Sequence, residues 1–356
     1  MKNFKSETGK KTVGLDLGDR WSHWCELDSE GGVLERGRVQ TEAKALQKLF
    51  EGRSSARIAM ENGTHSRWVK RVLEAYGHEV VVANTRKVRL IYGDGRKTDR
   101  LDAEKLARLA RVDVSLLSPI RYRQEQAHAD WAVLKARDGL VKARTQLINQ
   151  VRGMVKTFGA RLPAHSGASF ARKVGGMIPE RLKGALAPLL QVVEDLTVKI
   201  GAYDRTVEEL SQHYPETRAL RQVSGVGPLT SLAYVLVVED ARRFRRSRQV
   251  GPYLGLVPRL DQSGAQDKQL RISKAGNDFL RRLLVSSAHY ILGPFGPDSD
   301  LRRYGGKIAS GGGKNAKKRA VVAVARKLSV VLHHLWVSGE VYDPLYNQKR
   351  LTSFCA

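Results

Sequence analysis

Thr12-Val13-Gly14-Leu15-Asp16-Leu17-Gly18 alternates as a half-buried strand should, and it runs straight into a Gly-Asp turn. Outward from it, Trp21 to Asp28 and Val33 to Thr41 read as two more strands, joined by Glu30-Gly31-Gly32. Glu42 to Glu51 has helical spacing. Arg57-Ile58-Ala59-Met60-Glu61 is a short apolar run closing on Asn62-Gly63, which predicts a buried strand. Thr64 to Tyr76 is amphipathic, with Trp68, Val72 and Leu73 on one stripe, and Glu79 to Asn84 predicts a further buried strand. A Gly93-Asp94-Gly95 loop then leads into Lys97-Thr98-Asp99-Arg100-Leu101-Asp102-Ala103-Glu104-Lys105-Leu106-Ala107, the start of a helix.

Three strands in succession make an antiparallel meander, whereas strands separated by helices lie parallel. The order strand, strand, strand, helix, strand, helix, strand, helix is that of the α/β ribonuclease-H-like (RuvC-like) fold. In it the first and fourth strands are central neighbours, so Asp16 and Glu61 should end side by side. Asp99 and Asp102 share one helix face three residues apart, and the last helix should bring them over the first two. Four hard oxygen donors suit magnesium, or manganese, rather than zinc. Such ions can clamp the attacking and leaving oxygens of a phosphoryl transfer. Each acid alone has an ordinary reading, as a strand end, a rim residue, a cap or a first-turn acid favoured by the helix dipole. It is their joint placement that points to metal. Asp19, Asp94 and Glu104 are the nearest competitors, Glu104 being rotated off the shared face. Arg96, Lys97 and Arg100 frame the spot with positive charge.

Lysines and arginines number 62 against 36 acids, a net charge of +26 with a pI near 10.3. That excess predicts a polyanionic partner, nucleic acid before anything else. No long apolar span, signal peptide or lipidation motif stands out, which argues against a membrane. The two cysteines, Cys25 and Cys355, form no CxxC pair, so neither a zinc site nor a disulfide framework is expected, and the reading is a reduced, cytoplasmic protein.

Residues 1–120 read as the acid-bearing domain and 121–213 as an antiparallel helical arm. Its two long amphipathic runs, 121–160 and 179–213, flank a Gly/Ser/His-rich loop between Pro163 and Gly176. A third segment, 214–345, is mainly helical, and 346–356 is a tail. Val223-Ser224-Gly225-Val226-Gly227-Pro228 resembles a helix-hairpin-helix turn, with glycines for the bend and Pro228 at the first helical position. Five arginines crowd Arg242-Arg243-Phe244-Arg245-Arg246-Ser247-Arg248 with no acid between them. Arg259 to Arg271 reads as a hairpin or loop, 293–314 as Gly-rich and mobile, and Asn315 to Val337 as a basic helix bearing Lys317, Lys318 and Arg319 just after Lys314. These, with Arg271, Lys274, Gly225 and Gly227, are the expected nucleic-acid contacts.

Two serines compete for attention. Ser273 precedes Lys-Ala-Gly-Asn and a long periodic run, which is an N-cap position. Ser263, in Asp261-Gln262-Ser263-Gly264-Ala265, sits in a polar loop beside Arg259, Lys268 and Arg271. That is an ordinary turn setting, and also one a nucleophile would want. No histidine lies nearby in sequence to complete a protease-like triad.

The motifs together resemble the DEDD insertion-sequence transposases of the IS-one-ten type, related to the pilin-gene inversion recombinases. The likeness is carried by Val13-Gly14-Leu15-Asp16, Ala59-Met60-Glu61 and Lys97 to Ala103 in the first part. In the second it rests on Gly225-Val226-Gly227-Pro228, Tyr253 to Pro258, Gln262-Ser263-Gly264, and Ile272 to Asn277 with Leu280-Arg281. Gly-Ala follows Ser263 where the family often has Gly-Gly. The resemblance implies a recombinase that excises and inserts its own element in a prokaryotic, nucleoid-associated setting. It implies magnesium on Asp16, Glu61, Asp99 and Asp102, and covalent attack on DNA by Ser263. It also implies a structured guide (bridge) RNA pairing with donor and target DNA, and a tetramer of two dimers whose active sites combine the two domains of different subunits. The alternatives are a Holliday-junction-type nuclease using metal-activated water and a non-catalytic nucleic-acid-binding protein.

Overall fold

The computed structural model describes residues 11–88, 99–263 and 266–347, without the side chains of 86, 87, 99, 100, 260–263 and 266–269. The chain packs as two units, Met1–Tyr122 and Arg123–Ala356.

In the first unit β1 (Thr12–Asp16), β2 (Trp21–Leu27) and β3 (Val33–Gln40) form the meander. After α1 (Ala43–Phe50), β4 (Arg57–Glu61) joins β1 in parallel; after α2 (Ser66–Ala75), β5 (Glu79–Ala83) joins β4 in parallel. The sheet order is β3-β2-β1-β4-β5, so β1 and β4 are the central pair. A short α3 (Thr85–Val88) and then α4 (Asp99–Val112) follow. The expected strands and helices are present: β4 has its expected limits, and β1, β2, β3, α1, α2 and β5 end a residue or two short.

Strand parity decides what covers each face. Val13, Leu15, Ile58 and Met60 pack on α1 and α2 through Leu46, Phe50, Val69 and Leu73. The residues between them are small, and they meet α4. Ala59 and Val81 pack on Leu106 and Ala110, while Cys25 and Leu27 pack on Ala103 and Ala107. Gly14 allows the closest approach: a Cβ there would sit 1.8 Å from the Ala103 carbonyl oxygen and 2.6 Å from the Ala107 nitrogen. Gly14 is therefore not an incidental strand glycine but the seat of α4.

In the second unit α5 (Glu125–Thr157) and α7 (Glu180–Gln212) run antiparallel, Arg137 meeting Asp204 and Arg144 meeting Thr197. Where Pro163 to Gly176 was expected to be a loop, its second half forms α6 (Phe170–Val174), because Phe170 and Val174 fill a core with Val151, Val155 and Leu186. Asp138 of α5, 5% exposed, accepts a two-pronged bond from Arg282 at 3.2 and 2.9 Å and pairs with Lys142 at 2.9 Å.

The remaining elements are α8 (Glu216–Leu220), α9 (Pro228–Val238), α10 (Val250–Tyr253), β6 (Pro258–Ser263), β7 (Gln266–Ile272), α11 (Asp278–Leu292), α12 (Asp300–Ser310) and α13 (Ala316–Ser338). α9 is their centre: every residue from Leu232 to Val238 is buried, and the Tyr234 hydroxyl donates to the Ser329 carbonyl at 2.7 Å. Two expectations need correction. Residues 293–314 are not simply a Gly-rich loop. They contain α12, whose Gly305 lies where a Cβ would be 2.5 Å from Leu292 Cδ2 and 2.6 Å from Val324 Cγ2. That glycine serves close packing. And α13 is long and apolar enough to cross a membrane by length and composition, a span the sequence reading passed over. Half of its most apolar stretch is buried, with Val324, Leu328 and Leu332 in the core with α9 and α11, which is how a core helix behaves.

Candidate active site and nucleic-acid contacts

Leu15 pairs with Met60 across the parallel ladder, so the next position sets Asp16 beside Glu61 at the carboxyl ends of β1 and β4. Two residues on from Gly14 and Ala59, both acids stand on the α4 face of the sheet. α4 runs antiparallel to β1. Its far end lies over the start of the strands, where Arg57, opposite Thr12, donates to the Ala110 carbonyl at 3.5 Å. Its first turn, with Asp99 and Asp102, therefore lies toward Asp16 and Glu61. Asp102 precedes Leu106 by one helical repeat, so it occupies the sheet-facing side. Asp16, Glu61 and Asp102 are half-buried.

Among the described residues, no three carboxylate, histidine or cysteine side chains are gathered closely enough to hold an ion. The side chains of Asp99 and Arg100, and residues Arg96, Lys97 and 93–95, lie outside the described residues. As a donor set, carboxylates from β1, β4 and α4 fit a hard divalent cation.

Of the competitors, Asp94 lies outside the described residues, and the other two have neighbours of their own. Glu104 pairs with Arg108 at 2.7 Å and Arg36 at 3.7 Å. Asp19 is highly exposed, its Oδ1 3.5 Å from His65 Nε2. His65 is a rim group the sequence reading passed over. The Trp68 indole donates to its Nδ1 at 3.1 Å. An indole N–H can only donate, so the neutral imidazole carries its proton on Nε2. The signal in the sequence was the i,i+3 pair His65 and Trp68 on the first turn after Asn62-Gly63.

In the second unit Ser263 ends β6, opposite Gln266, at the tip of a hairpin rather than in an irregular loop. Its side chain, Gly264 and Ala265 lie outside the described residues. The hairpin's base is held by facing glycines. Gly255 (φ +69) and Gly276 (φ +72) allow the chains at Ala275 and Tyr253 to approach so closely that a Cβ would meet backbone at 2.3 and 2.1 Å. Arg281 Nη1 locks the junction by donating to the carbonyls of Leu254 and Ala275, each at 2.8 Å. Ser273 is not the helix cap it was expected to be. Asn277 is, its Oδ1 accepting from the Leu280 amide at 3.0 Å. The left-handed backbone at Lys274 (φ +53) and Gly276 turns the chain before α11 can begin, and Ser273 accepts from Ala275 N at 3.4 Å instead.

Residues 13–159, which contain all four acids, match a DEDD transposase family model of the IS110 type, and residues 217–300, which contain Ser263, match the model of the IS116/IS110/IS902 transposase family. The chain belongs to the IS110 family of DEDD transposases. It is 28% identical over 349 residues to the transposase for insertion sequence element IS1111A of Coxiella burnetii, covering 96% of this chain and 93% of that one. It is 29% identical over 287 residues to a probable family 20 transposase of Pseudomonas aeruginosa, covering 79% and 83%. A pilin gene-inverting protein of Moraxella lacunata is 28% identical over 125 residues, 35% of this chain and 38% of that one. Such a family implies an enzyme that cleaves and rejoins DNA.

The transposase displays its basic residues on fixed supports. Arg242, Arg243, Arg245, Arg246 and Arg248 are all exposed. The loop bearing them is pinned from beneath by buried His333, whose Nδ1 meets Ser247 Oγ at 3.0 Å and whose Nε2 meets the Ala241 carbonyl at 2.9 Å. Phe244 packs edge-on against His333 and Tyr253, and Arg243 lies 4.9 Å over the Tyr253 ring. Arg271, Lys274, Lys314, Lys317, Lys318 and Arg319 are likewise exposed.

Proposed function

We propose that this transposase works through a ribonuclease-H-like first domain that binds magnesium (manganese can substitute) and a serine nucleophile in its second. What supports the first half is that Asp16 and Glu61 end the central parallel strands β1 and β4 side by side, and that α4, which begins at Asp99, packs on those strands. These four carboxylates would hold the metal. When bound, it would supply charge neutralisation for the attacking and leaving oxygens of a scissile phosphate. The Ser263 hydroxyl attacks phosphorus, its proton passing to solvent. A serine–phosphate bond forms and a phosphorus–oxygen bond of the DNA strand breaks, releasing a deoxyribose hydroxyl that can later reverse the step on a new strand. The second half rests on the family motif around Ser263 and its place at a hairpin tip whose base is locked by Gly255, Gly276 and Arg281.

Guidance by a structured RNA, assembly as a tetramer of two dimers, and work in the cytoplasm on nucleoid DNA complete the reading by family likeness and by the net charge of +26. The test is a pair of variants in a magnesium-dependent strand-transfer assay. Ser263→Ala should abolish covalent protein–DNA adducts and strand exchange. Asp102→Asn should abolish cleavage while leaving DNA binding intact. Normal recombination by Ser263→Ala would favour the water-using nuclease. Full activity in Asp102→Asn would remove that acid from the metal set. Sequencing RNA copurified with the protein tests guidance, random cellular RNA being the adverse result.

A further inference from the structure

A single row of residues crosses the first sheet from Asp16 to its open edge. Asp16 of β1 pairs with His23 of β2, and His23 pairs with Arg38 of β3, the edge strand. Residues directly opposite one another share a face, so all three stand on the side of α4. The neighbours of Arg38 agree. Arg36, two residues back, meets Glu104 of α4 at 3.7 Å, whereas Gly37 lies against Trp24 and Val39 enters the core under α1 and α2, both on the other face. Two strand spacings, about 10 Å, separate Arg38 from Asp16.

The tryptophans of β2 carry two arginine stacks, and the two differ in kind. Trp24 is 5% exposed, and Arg53, 4.8 Å over its ring, is neutralised by Glu26 at 2.6 Å and Glu35 at 3.1 Å. That stack belongs to the fold. Trp21 is 42% exposed, and Arg38 lies 4.7 Å over its ring. Among the described residues no carboxylate pairs with Arg38. The charge that the fold balances at Arg53 is left for a partner at Arg38. Arg20, beside Trp21 in the chain, is exposed as well.

A guanidinium stacked on a ring keeps its N–H edge free for a phosphate, and an exposed indole offers a face to a base. We propose that Arg38 and Trp21 hold the DNA strand beside the cleavage point, Arg38 bonding a phosphate next to the scissile one and Trp21 stacking the adjoining unpaired base. The inference rests on reading Asp16 as part of the metal site, and it adds to that site a grip that does no chemistry. The occupant is DNA because the surface is cationic and its row of residues leads to the acid that would act on the cut strand. Every base has a ring face, so the grip is independent of sequence.

The test is magnesium-dependent DNA cleavage by the full-length chain, with any copurifying RNA left in place, over a range of DNA concentrations. Arg38→Gln and Trp21→Ala should each raise KM about tenfold, the loss falling in KM rather than in kcat. Trp21→Phe, which keeps a ring, should regain most of it, and circular-dichroism melts check folding. In the unaltered chain, DNA carrying iodouracil beside the cleaved bond should photo-cross-link to Trp21, as read by peptide mass spectrometry. An unchanged KM in the double variant Arg38→Gln, Trp21→Ala, a loss that falls in kcat, or cross-links at other residues alone overturns the grip. Weaker retention of copurified RNA with the KM for DNA unchanged overturns the assignment to DNA. Full activity in Asp16→Asn, or a wild-type chain that does not cleave DNA with magnesium, overturns the metal site itself and the grip with it. Inactive Asp16→Asn beside a raised KM in the Arg38 and Trp21 variants supports both.

Discussion

Gly14→Ala should disable the acid-bearing domain without touching an acid. The added Cβ would lie 1.8 Å from the Ala103 carbonyl oxygen and 2.6 Å from the Ala107 nitrogen. A carbon–oxygen contact needs about 3.3 Å, so α4 must withdraw by roughly 1.5 Å. Both obstructing atoms are backbone in mid-helix, so no side chain can swing aside. Withdrawal loosens the packing of Ala103 and Ala107 on Cys25 and Leu27, and of Leu106 and Ala110 on Ala59 and Val81. Overpacking of this kind costs about 1–3 kcal/mol, and a clash with immovable atoms belongs at the upper end. Asp102 travels with the helix while Asp16 and Glu61 stay on the sheet. A misplacement of about 1 Å can cost about 100-fold in rate, so magnesium-dependent cleavage should fall at least that far. Circular-dichroism melting and a strand-cleavage assay on the same preparation measure both effects. Gly63→Ala is the control, because a Cβ there meets nothing within 4 Å. Wild-type melting and wild-type cleavage in Gly14→Ala would refute the claim that α4 is seated on this glycine.

Arg282→Ala should cost about 3 kcal/mol in chemical denaturation, since Asp138 is left buried with only Lys142. Burial pushes the Asp138 carboxyl up, but the bonds from Arg282 and Lys142 outweigh it and hold it below the ordinary carboxylate value. Its contribution is whole above the unfolded value near ~4 and is lost as pH falls through the lower folded one. Acid destabilisation below about pH 4 should therefore shrink in Asp138→Asn, and an unchanged acid limb would contradict the assignment. His333→Phe keeps a ring under the arginine loop but drops its bonds to Ser247 and Ala241; DNA affinity should weaken a few-fold and stability by about 1–2 kcal/mol, as read by titration and melting. Gly255→Ala, with φ +69 and a Cβ 2.3 Å from Ala275 N and O, should cost at least about 2 kcal/mol, and rapid proteolysis near 258–272 would report it.

The sheet was legible because its signals are local. Period-2 alternation, Gly-Asp and Asn-Gly turns and short apolar runs give strand limits, and the order of elements gives the central pair. The role of Gly14 was not legible, since a glycine inside a strand pattern looks the same whether it weakens the strand or admits a helix. Ser273 misled for a related reason. Ser273 and Asn277 are both good cap residues before the same apolar run. The choice is made by Gly276 facing Tyr253 and by Gly255 facing Ala275, contacts some 20 residues apart in the chain that no local window contains. Gly305 was read as loop because glycine breaks helices in isolation, whereas here it lies inside α12 against the side chains of Leu292 and Val324. His65 was missed because its chemistry lies in the hydrogen bond from Trp68, not in its own type.

Gly14 and Asp16, and likewise Ala59 and Glu61, form a single device: small residue, apolar residue, acid. The small residue admits α4, the apolar one faces α1 and α2, and the acid follows the small residue onto the α4 side. A one-residue slip of either strand would send its acid into the layer of Leu46, Phe50, Val69 and Leu73 and press Leu15 or Met60 into the backbone of α4. Both errors are costly, so the requirement that positions the carboxylates is the same one that fixes the register. On the proposed reading the acids need no separate mechanism to bring them together: packing of the central strands against α4 would do it, and motifs separated by dozens of residues, Val-Gly-Leu-Asp, Ala-Met-Glu and the first turn of α4, would then serve one site.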